Sequence, residues 1–349
     1  MIWRQKQHGG DGSTNIQANI AQFGVSYSDA REIALDVFRE NFAKLSQGAY
    51  RKAHERAEEL TENYLSEIKE RSPESIRNIE DPGIQADILE AQSGYAKSGD
   101  QDLGEILVDL LVDRSAESTR TIRSLALSAA ISTAQKLTAS HFAALSALFV
   151  VKQVRFGGID LGDLESLHKH LSAYLTPLSA AVQGLTETDV QYLTGLGCLT
   201  ISVSSSPVAH RLRNTYPGLF TGGFEAIQFP DIADLIGTEM VTTCGRNPEK
   251  YQINATDVET LRARAREMRL SDDQVDRLYE VMITTPIPDA DVIDELTQYD
   301  PGLKKLLDVF EKCELPRCTN TAIGTTIAHA NLRRVTSGSF DGAWDLWLS

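Results

Sequence analysis

Between Ser28 and Ser72, apolar residues recur at steps of three or four: Phe38, Phe42, Leu45, Ala49, Ala53, Ala57, Leu60, Tyr64 and Ile68. That spacing lines them along one side of an α-helix. It constrains the chain more than any other stretch, because a one-sided apolar stripe has to be covered. Read as one continuous helix at 1.5 Å per residue, the span is on the order of 65 Å long. Gly48 inside it costs only about 1 kcal/mol. Asp29 and Glu32 fall in the first turn, where the helix dipole favours acids. The stripe is bulky at both ends and alanine-rich in the middle, so its neighbour must approach closely there. Ser72-Pro73 ends it, since the residue before a proline is pushed out of helical geometry.

Ahead of the stripe lies a glycine-rich opener, Gly9-Gly10-Asp11-Gly12-Ser13-Thr14, and then Ile16, Ala18 and Ile20 alternating with polar residues. Alternation puts these three on one face of a short strand. A lone strand buries too little to stay ordered, so it needs an edge to pair with, from a distant part of this chain or from another copy. The glycines do not make a phosphate loop, which requires a lysine before the Ser/Thr and a buried strand in front.

The charge balance bears on partners. With 34 basic and 49 acidic residues the chain carries a formal −15, which repels nucleic acid and anionic lipid unless a local basic face overrides it. Nucleic-acid binding is therefore not expected. Met1-Ile2-Trp3-Arg4-Gln5-Lys6 is followed by glycine and polar residues, so no secretory signal is expected. The most apolar stretch, Leu125 to Val151, is interrupted by Gln135, Lys136 and His141, short of the roughly 18 to 20 residues of a membrane span. Cys198, Cys244, Cys313 and Cys318 are scattered, which fits reduced thiols and a cytoplasmic location.

Further helical periodicity falls near Ile84–Lys97, Leu103–Val112, Ser118–Lys136, Ser140–Gln153 and Leu164–Leu175. After Thr186 the texture changes. Val190–Val203, with Gly195, Gly197 and the β-branched run Thr200, Ile201 and Val203, reads as helix then strand. Tyr216 to Phe224 reads as a structured aromatic and glycine-rich loop. Helices are expected at Ile232–Cys244, Asp257–Arg269, Ser271–Ile283, Asp289–Tyr299, Gly302–Cys313 and Ile323–Val335. The fold class predicted is mainly α: a multi-helix array with a long amino-terminal amphipathic helix preceded by a short β-strand. Its parts are a leader and strand over 1–27, the long helix over 28–72, a helical domain over 82–177, and a second, mostly helical domain over 186–349 with a docked aromatic carboxy terminus.

Few constellations suggest chemistry. His168 and His170, two apart on a helix, point in divergent directions and cannot share a metal as an i, i+4 pair does. Cys313 and Cys318 have neither the redox spacing nor a second pair. Cys198 has no histidine and orienting acid placed beside it by the sequence. No metal or cofactor is expected. Arg262, Arg266 and Arg269 fall on one helical face and form the best anion-binding candidate in the chain, against an alternative in which Glu259, Glu267 and the following acids balance them.

The opener, followed by Gly24-Val25-Ser26-Tyr27-Ser28-Asp29-Ala30-Arg31-Glu32-Ile33-Ala34-Leu35-Asp36-Val37-Phe38 and Asn41-Phe42, resembles the start of a family of uncharacterised bacterial proteins. Leu137 through Phe149, Tyr216-Pro217-Gly218-Leu219-Phe220, and Ile327-Ala328-His329-Ala330-Asn331 with Trp347-Leu348 fit the same family. The resemblance implies no activity and no catalytic residues. The opener alone is similar to amino-terminal tags on proteins of bacterial conflict and anti-phage systems. The resulting expectation is a non-enzymatic interaction protein in a bacterial defence or toxin-linked module. It would form a homo-oligomer or dock a protein partner through Ile16, Ala18, Ile20, Phe38, Phe42, Leu45, Ala49 and Ala53. The alternative is a nucleotide- or phosphate-binding sensor or hydrolase using Arg262, Arg266 and Arg269.

Overall fold

The computed structural model describes residues 26–42, 46–298 and 300–340, the side chains of 40–42 excepted. The amino-terminal stripe does not form one rod. It is divided between α1 (Tyr27–Phe42) and α2 (Gln47–Arg71), and α1 runs back along α2: Tyr27 Oη donates to Glu62 at 3.1 Å, while Phe38 stacks on His54 at 6.2 Å. The continuous helix expected over 28–72 is thus corrected to a helical hairpin. Folding back lets Ala30, Ala34, Leu35 and Phe38 be buried, which a lone rod would leave in water. Phe38 packs with Ala53, Ala57 and Ala96, so the small residues admit a neighbour from the same chain.

The helices that follow are α3 (Pro82–Ser98), α4 (Gln101–Ala116), α5 (Ile122–Ala134), α6 (Ala139–Gln153), α7 (Leu164–Leu175), α8 (Ser179–Val182) and α9 (Glu187–Gly195). Local chemistry sets their ends. Asp81 caps α3 by accepting from Gly83 N and Ile84 N, with Pro82 at the first helical position, and Gly99 at φ +63° closes it. Thr138 and His141 form a capping box at α6, in which the Thr138 amide donates to His141 Nδ1 at 3.1 Å.

After α9 come β1 (Leu199–Ile201), α10 (Val208–Thr215), β2 (Val241–Thr243), β3 (Tyr251–Ile253), α11 (Val258–Glu267), α12 (Asp272–Thr284), α13 (Asp289–Thr297), α14 (Pro301–Lys312), β4 (Cys318–Asn320) and α15 (Ala322–Val335). The helix expected over Ile232–Cys244 is corrected to a 3₁₀ segment, Pro230–Leu235, and the strand β2. Gly237 at φ +83° breaks the helix, and the β-branched Val241-Thr242-Thr243 pairs antiparallel with β3. The fold is mainly α, and no helix among the described residues is long and apolar enough to cross a membrane.

One large core runs from Ala30 to Phe340. A smaller one gathers Phe224, Met240, Val241, Ile253, Leu261 and Leu278 beneath α11 and α12. The helix α15 is buried almost throughout, from Gly324 to Leu332, against α4, α5 and α6. Its entry is tight: a Cβ on Gly324 would meet Cys198 O at 2.1 Å. Inside, Asn331 Nδ2 donates to Ser146 Oγ at 2.8 Å and Asn320 Nδ2 to Leu145 O at 3.0 Å, satisfying donors that burial would otherwise make costly, while Asn320 Oδ1 has no partner among the described residues.

Candidate functional site

A cleft of ≈ 880 Å³ opens between α2, α4 and α15. Asp109 lines it, and Asp113 follows one helical turn later in an α4 otherwise rich in apolar residues. Arg71 reaches both from α2, Nη1 to Asp109 Oδ1 at 2.6 Å and Nη2 to Asp113 Oδ1 at 3.0 Å. Arg333 reaches both from α15, with Nη2 to Asp109 Oδ2 at 2.8 Å and a second contact to Asp113. Arg334 pairs with Asp102 at 2.7 Å and also donates to Asn331 Oδ1. Three helices distant in sequence are therefore joined by a two-plus, two-minus lattice whose members are mostly shielded from solvent.

Burial pushes the Asp109 carboxyl up to about 6; the adjacent Asp113 adds to this, and Arg333 and Arg71 hold it back. The lattice braces the cleft rather than poising a nucleophile, because its guanidiniums and carboxylates are engaged with one another. His329 lies behind it, 1% exposed, with its ring edge-on to Phe340 at 5.2 Å. Periodicity gave no notice of this lattice. The one sequence signal was an i, i+4 acid pair inside an apolar helix, and its partners come from far along the chain.

A second feature is a strand edge. The strands β1 and β4 form a two-stranded antiparallel sheet with Thr200 opposite Thr319. Thr321 N donates to Cys198 O and Ser202 N to Arg317 O, so residues 198, 200 and 202 bond toward β4. The peptide groups of Leu199 and Ile201 then face the other way, and no third strand pairs there among the described residues; Leu199 is buried, so this edge reaches solvent at Ile201. Ile201 is 48% exposed and Val203 97%, two apolar side chains at the two-residue spacing of a strand.

The residues singled out from the sequence fall in several places. Ile16, Ala18, Ile20 and Leu45 lie outside the described residues, as does the side chain of Phe42. Phe38 and Ala53 are buried inside the chain, whereas Ala49 is exposed at the start of α2. Arg262 and Arg266 are exposed on successive turns of α11. Arg269 stands beyond the helix end at φ +58°. None of the three makes an ion pair among the described residues, and none lines the large cleft.

All four cysteines are buried and free. Burial pushes the Cys198 thiol up to about 11 and raises Cys313 and Cys318, which opposes thiolate formation. His170 contacts Ser166 O and His168 contacts Ser172 Oγ, each on its own helix. Among the described residues no group of three or more His, Cys, Asp or Glu could hold a metal ion.

The fold and these features define a mainly α-helical protein with an ion-pair lattice beside a cleft of ≈ 880 Å³ and a strand edge that reaches solvent at Ile201. A model of an uncharacterised family matches residues 24–344, and the chain belongs to that family. No curated protein and no solved structure matches it.

Proposed function

We propose that this is a non-enzymatic interaction protein that self-associates by strand addition. The amino-terminal segment around Ile16, Ala18 and Ile20 pairs with the open edge of β1 in a neighbouring copy. The observation that carries the reading is that edge: an outward peptide group at the exposed Ile201, with exposed Val203 two residues on. Exposed apolar strand edges are hazards unless something covers them, and an extended segment with alternating apolar residues is the chemistry that fits. The alanine-rich stripe of α2 finds its neighbours within the chain, which leaves the segment before α1 as the assembling element. The setting proposed, from the resemblance of the opener, is a cytoplasmic bacterial defence or toxin-linked module.

Light scattering on the full chain tests this. A mass above the 38.4 kDa monomer is expected, falling to the monomer in Ile16→Asp/Ile20→Asp and in Ile201→Lys/Val203→Lys. A wild-type monomer, or variants that keep the wild-type mass, would reject it.

A second reading rests on Arg262, Arg266 and Arg269, which have no ion-pair partner among the described residues. Exposed guanidiniums in a chain of charge −15 suit an anionic ligand, nucleotide or phosphate among them. Loss of a nucleotide-induced thermal shift in Arg266→Ala supports it, and the absence of a shift with any anion removes it.

A further inference from the structure

A second cavity, ≈ 440 Å³, lies between the 3₁₀ segment Pro73–Glu80, the start of α3, the end of α4 and the start of α5. Arg77, Arg114 and Arg120 line it, with Ser118 and Thr119 in the turn between α4 and α5. The acids in its wall are already engaged. Asp81 Oδ1 accepts the amides of Gly83 and Ile84 at 2.9 and 3.1 Å, and Glu117 pairs with Arg123 at 3.2 Å. Arg114 is held by Asp87 at 2.9 Å and by Ser128 Oγ at 3.0 Å.

Arg77 and Arg120 are different. Both are exposed, and among the described residues neither makes an ion pair or a side-chain hydrogen bond; the hydroxyls of Ser118 and Thr119 are equally unengaged. Two uncompensated guanidiniums and two free hydroxyl donors thus share one concavity in a strongly acidic chain. Beside them is an apolar rim: Leu125, 49% exposed, lines the cavity, and Ile122, 72% exposed, stands one turn earlier on α5.

We propose that this cavity binds a phosphate-bearing small molecule of nucleotide size. Arg77, Arg120 and the Ser118 and Thr119 hydroxyls take the phosphate, and Leu125 and Ile122 receive the less polar part. The planar guanidinium fork matches phosphate oxygens in pairs. The volume falls in the range of about 300 to 1,000 Å³ that holds small ligands. The site is separate from the Arg262 face and independent of self-association.

Calorimetric titration of the full chain with ADP, with inorganic phosphate, and with adenosine as the uncharged control tests it. Saturable ADP binding is expected, tighter than that of phosphate, with none for adenosine. The Arg77→Gln/Arg120→Gln protein should lose roughly tenfold or more in ADP affinity, as expected when charge-assisted hydrogen bonds are removed, at an unchanged melting temperature. Arg120→Gln alone, in an exposed turn, is the second variant and should show part of the loss. Arg262→Gln/Arg266→Gln should bind as the wild type does. The proposal is overturned by no saturable ADP binding at millimolar concentration, by affinity retained in the double variant, or by affinity lost in the α11 variant instead. ADP binding no tighter than phosphate would overturn the assigned ligand size.

Discussion

Replacing Arg333 with Gln tests the lattice beside the large cleft. In the wild type Asp109 and Asp113 share two guanidiniums; their side chains are 13% and 10% exposed, and that of Arg333 is 20% exposed. Removing Arg333 leaves two shielded carboxylates facing Arg71 alone. Breaking a fully buried pair costs about 3 to 5 kcal/mol, and the residual exposure here places the loss near the lower end, about 3 kcal/mol at pH 8.

The pH dependence gives the sharper test. Asp109 titrates in the folded protein near 6, above its ordinary 3.8, so the folded state holds this proton more tightly than the unfolded chain does. Stability from that proton is fully present below about 4 and is lost as pH rises through about 6. Without Arg333 the folded value climbs further, each added unit deepening the loss at pH 8 by about 1.4 kcal/mol. At pH 5 Asp109 is mostly protonated in both proteins, so losing Arg333 leaves less charge uncompensated and the loss is smaller than at pH 8. Urea denaturation of both proteins at pH 8 and pH 5, followed by far-ultraviolet circular dichroism, measures the two differences. A loss equal at both pH values, or larger at pH 5, would refute the reasoning.

Other predictions follow from single contacts. Gly324→Ala should destabilise by about 2 kcal/mol or more, since overpacking against a backbone carbonyl forces α15 away from Cys198; a denaturation midpoint equal to the wild type would contradict this. Tyr64 Oη lies 2.6 Å from Ser115 Oγ and the side chain is 0% exposed, so Tyr64→Phe should cost about 1 kcal/mol, read as a shifted urea midpoint at constant slope.

Much of the architecture was legible because helical periodicity is local. The stretches at Leu164–Leu175 and Ile323–Val335 are helices over nearly the ranges expected, and Val190–Val203 is helix then strand. The break between α1 and α2 was not legible. The steps of three and four run through Leu45 and Ala49 without interruption, and periodicity does not say whether a stripe is covered by another molecule or by its own first half. Val241-Thr242-Thr243 shows the opposite error, a β-branched run read as the end of a helix although Gly237 precedes it. The ion-pair lattice escaped notice because it joins residues as far apart as Arg71, Asp109 and Arg333, and only tertiary packing brings such charges together. The β1 edge was half visible: the β-branched run marked a strand, but its lack of a second neighbour is a property of the folded sheet.

Amide hydrogen exchange at Ile201, measured at low and at high protein concentration, bears most directly on self-association through the β1 edge. Strand addition predicts exchange that slows markedly as concentration rises, and that stays fast at both concentrations in Ile16→Asp/Ile20→Asp. Exchange rates independent of concentration, or identical in that variant and the wild type, would contradict it.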